Sequence, residues 1–157
     1  MGDSHSTTSL THAFTSRLAR DSDINYIVHA NRAIEAGRAK LTDETLRRDL
    51  FCEHPKAAIA LVECAEETVG MAFYAFTYWA SDGPILWVSQ MYIEPKYRGG
   101  AAVRVLRDQV FTEAKQNNAK HIVWATHNSA ARTNKLWRRI GAKNLSGDYS
   151  FWVLSVY

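Results

Sequence analysis

The region from Pro84 to Arg107 constrains this chain more than any other. Pro84-Ile85-Leu86-Trp87-Val88 and Met91-Tyr92-Ile93 make an apolar run of strand length. Glu94-Pro95 ends it, because proline has no backbone donor to give a ladder. Arg98-Gly99-Gly100 follows, and apolar residues then return at helical spacing through Ala102, Leu106 and Val110. Strand, glycine turn and helix start, in that order, present free backbone N–H groups at a helix N-terminus. Those donors and the helix dipole favour an anion such as a pyrophosphate. Glycines let backbone approach such a ligand with no Cβ between, and Arg98 adds a fixed charge. An ordinary βα turn carries the same glycines, so the turn alone leaves both readings open.

Charge divides unevenly along the chain. Residues 1–95 carry 8 Lys/Arg against 13 Asp/Glu, whereas residues 96–157 carry 11 against 3. A basic second half suits an anionic ligand, and equally a solvated basic face. No basic run interleaved with aromatics points to nucleic acid. The 157 residues suffice for one domain with a proper core. Cys52 and Cys64 make neither a disulfide framework nor a metal set, so reduced thiols in a cytoplasmic protein are expected, with no metal. No apolar run approaches the roughly 20 residues of a membrane span, and no signal-peptide core is visible.

Met1 to His12 is polar and reads as a flexible arm, leaving residues 13–157 as the domain. Its Met1-Gly2-x-x-x-Ser6 opening matches the short myristoylation pattern, which chance also produces. A first strand is expected over Ala13–Ala19. A helix follows the cap candidates Asp21, Ser22 and Asp23, with Ile24, Ile27, Val28 and Ile34 on one face and Gly37 as its stop. Thr42-Asp43-Glu44 opens a second helix that ends before Pro55. Ala57–Val62, Val69–Trp79 and the Pro84–Ile93 run read as an antiparallel meander, with Ser81-Asp82-Gly83 as a hairpin turn. Ala102–Asn117 is an amphipathic helix and His121–Thr126 a strand, so these two strands pair in parallel through a crossover. A last helix, Ala130–Ile140, is capped by Asn128 or Ser129, and a hairpin through Ser146-Gly147-Asp148 leads to a strand at Ser150–Tyr157.

Arg98-Gly99-Gly100-Ala101-Ala102-Val103 resembles the acyl-CoA-binding loop of the GNAT acetyltransferases, Arg/Gln-x-x-Gly-x-Gly/Ala after a strand. Ala101 and Val103 stand where the motif has its glycines, and a branched Val103 there would crowd a phosphate. Trp137-Arg138-Arg139-Ile140-Gly141 resembles the second GNAT signature, with Trp137 in place of the usual Tyr and Ala130 in place of the usual Asn. The run from Val69 to Gly99 is similar to the polyamine branch, except that Ser89-Gln90 replaces its acidic pair.

The resemblance implies an α+β, α/β/α layered fold with a mixed, mostly antiparallel sheet of six to seven strands and four helices. It implies acetyl-CoA as co-substrate and an amine as acceptor; whether a second copy of the chain is a further partner, as a homodimer, the sequence leaves open. In that fold two strands splay, and the pantetheine arm pairs with the backbone of Met91, Tyr92 and Ile93. Arg98, Gly99, Gly100, Ala101, Ala102 and Val103 would hold the diphosphate, with Asn128, Asn134 and Trp137 as further cofactor contacts. The N–H of Tyr92 becomes the oxyanion donor by analogy. His127 ends the splayed strand and reads as a base or as a capping histidine; Glu94 and Tyr92 are further base candidates. Trp79, Ser89 and Gln90 are the acceptor-side candidates. Transfer of an acetyl group to a primary amine is the expected activity. The alternative is a GNAT-shaped module without activity, favoured by Ala101, Val103, Ser89-Gln90 and Trp137.

Overall fold

The computed structural model describes residues 13–36, 38–127 and 129–146. They fall into two compact units, the first ending at Trp124 and the second beginning at Ala125. The first unit runs β1 (Phe14–Leu18), a 3-10 turn at Asp21–Asp23, α1 (Ile24–Glu35), α2 (Asp43–Asp49), β2 (Ala58–Cys64), β3 (Glu67–Trp79), β4 (Gly83–Ile93), α3 (Ala101–Gln116) and β5 (His121–Trp124). The sheet keeps chain order, β1-β2-β3-β4-β5, antiparallel except for the parallel β4–β5 pair. The α3 crossover makes that last pairing parallel, as the helix between two strands implied. Five strands are described against six to seven expected; the expected last strand, Ser150 to Tyr157, lies outside the described residues.

Two apolar layers form on the two faces of the sheet. One gathers Ala60, Val62, Ala72, Tyr74, Leu86, Val88 and Ile93 with Ala102, Leu106 and Val110 of α3. The other gathers Ile59, Leu61, Met71 and Tyr92 with Ile24, Ile27 and Leu46 of α1 and α2. Leu106 is fully buried, and taking such a side chain from water is worth about 1.5–3 kcal/mol. Arg17 ties β1 to its neighbours, donating to Asp23 at 2.7 and 2.9 Å and to Glu63 at 2.8 Å.

Element ends follow local chemistry. Thr42 caps α2: its Oγ1 accepts from Thr45 N at 3.2 Å, while Thr42 N donates to Thr45 Oγ1 at 3.0 Å. That helix stops at Asp49, six residues before the proline expected to stop it. At the end of α1, Ala36 takes the left-handed conformation, one residue before the expected Gly37, which lies outside the described residues. The expected turn over Glu63–Thr68 shrinks to Ala65 and Glu66, with φ of 49° and 68°, the paired left-handed geometry of a tight hairpin.

β4 carries the feature that matters most. Its register against β3 shifts by one, Tyr74 facing Val88 and Phe73 facing Gln90, so Ser89 is an extra residue in the ladder. The bulge changes the parity of β4. Leu86 and Val88 point to the α3 layer, and beyond the bulge Ile93 does too, while Tyr92 enters the α1–α2 layer.

In the second unit, α4 (Ala131–Arg139) starts one residue later than expected, with Ala130 at its N-cap and no side-chain cap. Gly141, at φ 88°, closes it: Gly141 N donates to Arg138 O at 3.1 Å and Ala142 N to Trp137 O at 3.1 Å.

Candidate functional site

β5 pairs with β4 only over Ile85–Val88. From Ser89 to Ile93 no described strand continues that pairing, so among the described residues this edge of β4 is unpaired beyond the bulge. Which groups it offers follows from alternation. Glu94 N donates to Val69 O at 2.9 Å, which makes Glu94–Val69 a hydrogen-bonded pair. Ile93–Gly70 and Met91–Ala72 are then the non-bonded pairs toward β3, and Tyr92–Met71 a bonded one. The N–H and C=O groups of Met91 and Ile93 therefore turn to the open edge, while those of Tyr92 turn to Met71. The expectation of Tyr92 N–H as oxyanion donor is corrected here: the ladder already uses that donor, and Met91 supplies the N–H at the edge. The carbonyl of Ile93 is taken by Arg98 Nε at 2.9 Å, which fixes the guanidinium at the end of the strand. Arg98 also lies over the Tyr92 ring, 5.8 Å from its centroid.

After Arg98 the chain turns through Gly99 at φ 79°, a conformation that favours glycine, into α3. A Cβ built on Gly99 or Gly100 meets nothing within 4 Å, so both face open space. The first turn of α3 has no side-chain cap and no acidic residue, which leaves its N–H groups available to an anion. Val103, in that first turn, packs partly buried against the α3 layer of the core. Ala102 is fully buried in the same layer. The start of α3 thus offers backbone donors suited to an anion, and the edge at Met91 and Ile93 offers groups suited to an extended amide.

The other face of β4 carries the polar chemistry. Tyr92 is buried, and its hydroxyl donates to Glu94 Oε2 at 3.1 Å. His29 of α1 reaches the other oxygen of Glu94, Nε2 to Oε1 at 3.4 Å. Burial first, then the bond to Glu94, pushes the Tyr92 phenol above its ordinary value, so it holds its proton and serves as a donor rather than a base. Tyr26 is likewise pushed up, by burial and then by Glu94 and Tyr92.

Two residues back along the same face, Gln90 joins a cleft of about 540 Å³ between the sheet and the α1–α2 segment. Asn31 Nδ2 donates to Gln90 Oε1 at 3.0 Å, and Gln90 Nε2 donates to Glu35 Oε1 at 2.8 Å. Ser89 and Phe73 complete the sheet side of the cleft. Ser89 Oγ also donates to Phe73 O at 3.2 Å and helps hold the bulge.

Sequence reasoning thus placed Ser89, Gln90, Met91, Tyr92, Ile93, Glu94 and Arg98–Val103 in one neighbourhood, and the structure brings them together there. It missed His29, Asn31 and Glu35. Asn31 left a signal: it falls on the apolar stripe Ile24, Ile27, Val28, at the position where another aliphatic residue was due, and it is 4% exposed. Trp79, expected at the acceptor, sits at the far end of β3 and outside the cleft lining, its ring 5.9 Å from that of His121. His127 belongs to the second unit and is exposed; its Nδ1 shares a 2.7 Å bond with Ser129 Oγ and accepts from Ser129 N at 3.3 Å. Asn134 Nδ2 donates to His127 O at 3.3 Å. Trp137 is half-buried in α4, and Asn128 lies outside the described residues. Among the described residues no His, Cys, Asp or Glu cluster could hold a metal ion, and no helix is long and apolar enough to cross a membrane.

Known structures share this architecture. A ribosomal-protein-alanine N-acetyltransferase from Brucella melitensis biovar Abortus 2308 superposes with a TM-score of 0.73 at 17% identity, over 92% of this chain and 99% of that one. The aminoglycoside N-acetyltransferase AAC(6′)-Iy in complex with CoA gives 0.75 at 11% identity, over 93% and 97%. A transcriptional regulator from Bacillus halodurans C-125 gives 0.73 at 18% identity, over 91% and 99%. At such identities the likeness is one of fold. No curated protein matches the chain in sequence. The family model of the acetyltransferase (GNAT) family matches residues 26–142. With the open β4 edge, the glycine turn into α3 and this match over most of its length, the chain belongs to the GNAT acetyltransferase family.

Proposed function

We propose that this chain is an N-acetyltransferase that moves an acetyl group from acetyl-CoA to a primary amine by direct attack in a ternary complex. One observation carries the reading: the open β4 edge at Met91 and Ile93 leads, through Arg98, to the uncapped start of α3, while the polar cleft opens on the opposite face at Ser89-Gln90. A thioester at the edge and an amine in the cleft then meet at the bulge.

When bound, acetyl-CoA would supply an activated acyl group: the amide C–N bond forms at the carbonyl carbon, the C–S bond breaks, and its electron pair leaves with sulfur as the CoA thiolate. Arg98 and the first N–H groups of α3 hold the diphosphate, and Met91 and Ile93 pair with the amide-bearing arm. The edge N–H of Met91 donates to the carbonyl oxygen as charge builds on it. The amine must lose a proton, and Glu94 with His29 collects it along the α1 face of β4. Tyr92 positions Glu94 by donating to it. Each two-residue step along a strand is about 7 Å, so water completes the path from Gln90 to Glu94.

Two measurements test this. Saturating acetyl-CoA should raise the melting temperature: at a hundredfold excess over Kd the stabilisation is about 2.7 kcal/mol. For a chain of this length that is a rise of roughly 5–10 °C. Glu94→Gln keeps an acceptor for the Tyr92 hydroxyl but removes the base, so kcat in an amine-dependent thiol-release assay should fall about 10- to 100-fold, with the acid limb of the kcat/KM profile lost. No thermal shift at millimolar acetyl-CoA refutes the cofactor reading. A shift with no thiol release for any amine favours the inactive module.

A further inference from the structure

The charges in the cleft describe an acceptor more specific than "an amine". Ser89-Gln90 stands where the polyamine branch has an acidic pair, which argues against a polyamine acceptor. The cleft does hold a carboxylate nearby. Glu35, on the last turn of α1, is turned toward Gln90 by the Asn31–Gln90–Glu35 chain of bonds at 3.0 and 2.8 Å. Asn31 is buried, so this chain is a built part of the wall and not a surface accident. Among the described residues Glu35 has no cationic partner.

The other charged residues of the lining are Arg38, Lys40, Arg48 and Asp49. Asp49 is already engaged twice, by Arg48 at 2.7 Å and by Lys56 at 2.5 Å, and these two cations hold its carboxyl well below the usual range. Arg38 and Lys40, which follow α1 into the cleft, are exposed and have no carboxylate partner among the described residues. The cleft therefore offers one uncommitted carboxylate at the sheet and two uncommitted cations at the α1–α2 segment. A guest with several positive charges meets Arg38 and Lys40 as like charges. A guest with one ammonium and an anionic group finds a partner for each.

We infer that the acceptor is an amine that also carries a carboxylate or a phosphate, its ammonium held at Glu35 and its anion at Arg38 and Lys40 before transfer. The inference rests on the transferase reading for the role of the cleft, and on the charges alone for its preference. The anion-bearing amine has two sources, a small zwitterionic metabolite or the N-terminus of an acidic peptide.

The test is a panel of four amines assayed with acetyl-CoA by thiol release: a small amino acid with a single amine, a peptide with acidic residues near a free N-terminus, a neutral-tailed monoamine, and spermidine. Wild-type kcat/KM for one of the two anion-bearing amines should exceed that for spermidine and for the monoamine at least tenfold; which of the two leads names the source. In the double variant Arg38→Ala, Lys40→Ala the ratio of anion-bearing to neutral amine should fall tenfold or more, with the KM for acetyl-CoA unchanged. Glu35→Gln should raise the KM of every amine in the panel. A preference for spermidine, an unchanged ratio in the double variant, or an effect confined to the KM of acetyl-CoA overturns the inference. Thermal shift of the CoA-saturated protein with the same panel separates the two levels of argument. Selective binding of an anion-bearing amine without turnover upholds the cleft assignment and refutes the transferase; turnover that favours spermidine does the reverse; no binding of either anion-bearing amine refutes the cleft assignment.

Discussion

Gly70 offers a direct test of how tightly the strands beneath the site are packed. It is buried in β3, in the non-bonded pair with Ile93, where opposing Cα atoms approach to about 4.5 Å. A Cβ at this position would stand 2.5 Å from Ile93 Cδ1, 2.8 Å from Tyr92 O and 2.9 Å from Val62 Cγ1. In a roomy site Gly70→Ala would help: a buried methyl is worth about 0.8 kcal/mol, and a stiffer unfolded chain about 0.4–1 kcal/mol more. Here all three contacts are shorter than real Cβ atoms make, and one is to a backbone oxygen that no rotamer change can move. Overpacking of this kind costs about 1–3 kcal/mol net, and the backbone contact puts Gly70→Ala at the upper end. For a chain of this length that is a fall of roughly 6–12 °C in melting temperature, read by calorimetry or circular dichroism. Adding Ile93→Val removes the 2.5 Å contact and leaves the other two, so it should restore only part of the loss. A melting temperature equal to or above wild type for Gly70→Ala, or full rescue by Ile93→Val, would refute the reasoning.

Two further predictions follow from other corners of the fold. Arg17→Ala strips donors from Asp23 and Glu63, whose side chains are 11% and 19% exposed, and should cost about 1.5–3 kcal/mol at neutral pH in a denaturant titration. Arg17 holds the Asp23 carboxyl below its unfolded value, so this stabilisation is full above the ordinary aspartate range and is lost as pH falls through the folded value; the gap between wild type and variant should close in acid. Ala65→Asn with Glu66→Gly relieves two non-glycine residues in the left-handed region and should raise stability by about 1 kcal/mol, seen as a higher denaturant midpoint at constant slope.

Most of the sheet was legible from residues. Alternation and turn pairs gave β2, β3 and β4, and the period of Leu106 and Val110 gave α3, because these elements bury one face and local pattern records that. The site was legible only where it coincides with a motif, from Met91 to Val103. His29 and Glu35 carry no signal of their own: on a helix surface they look like any solvated side chain until the sheet is laid beneath them. The bulge at Ser89 is harder still. Strict alternation would put Gln90 and Tyr92 on the same side as Leu86 and Val88, and one extra residue reverses that. The Tyr92 N–H rests on analogy alone, whereas which amide faces out depends on counting from the bonded pair Glu94–Val69. Trp79 misled because an aromatic next to a turn resembles a pocket wall, whereas a ring at a sheet end also finds a neighbour such as His121.

The unpaired stretch of β4 has a cost apart from catalysis. Outward-facing amides and carbonyls in a row are a template for any strand that drifts past, including the same strand of another copy. Under the proposed function a bound pantetheine arm would mask that template, and the ligand-free chain would be the form most exposed to edge-to-edge association.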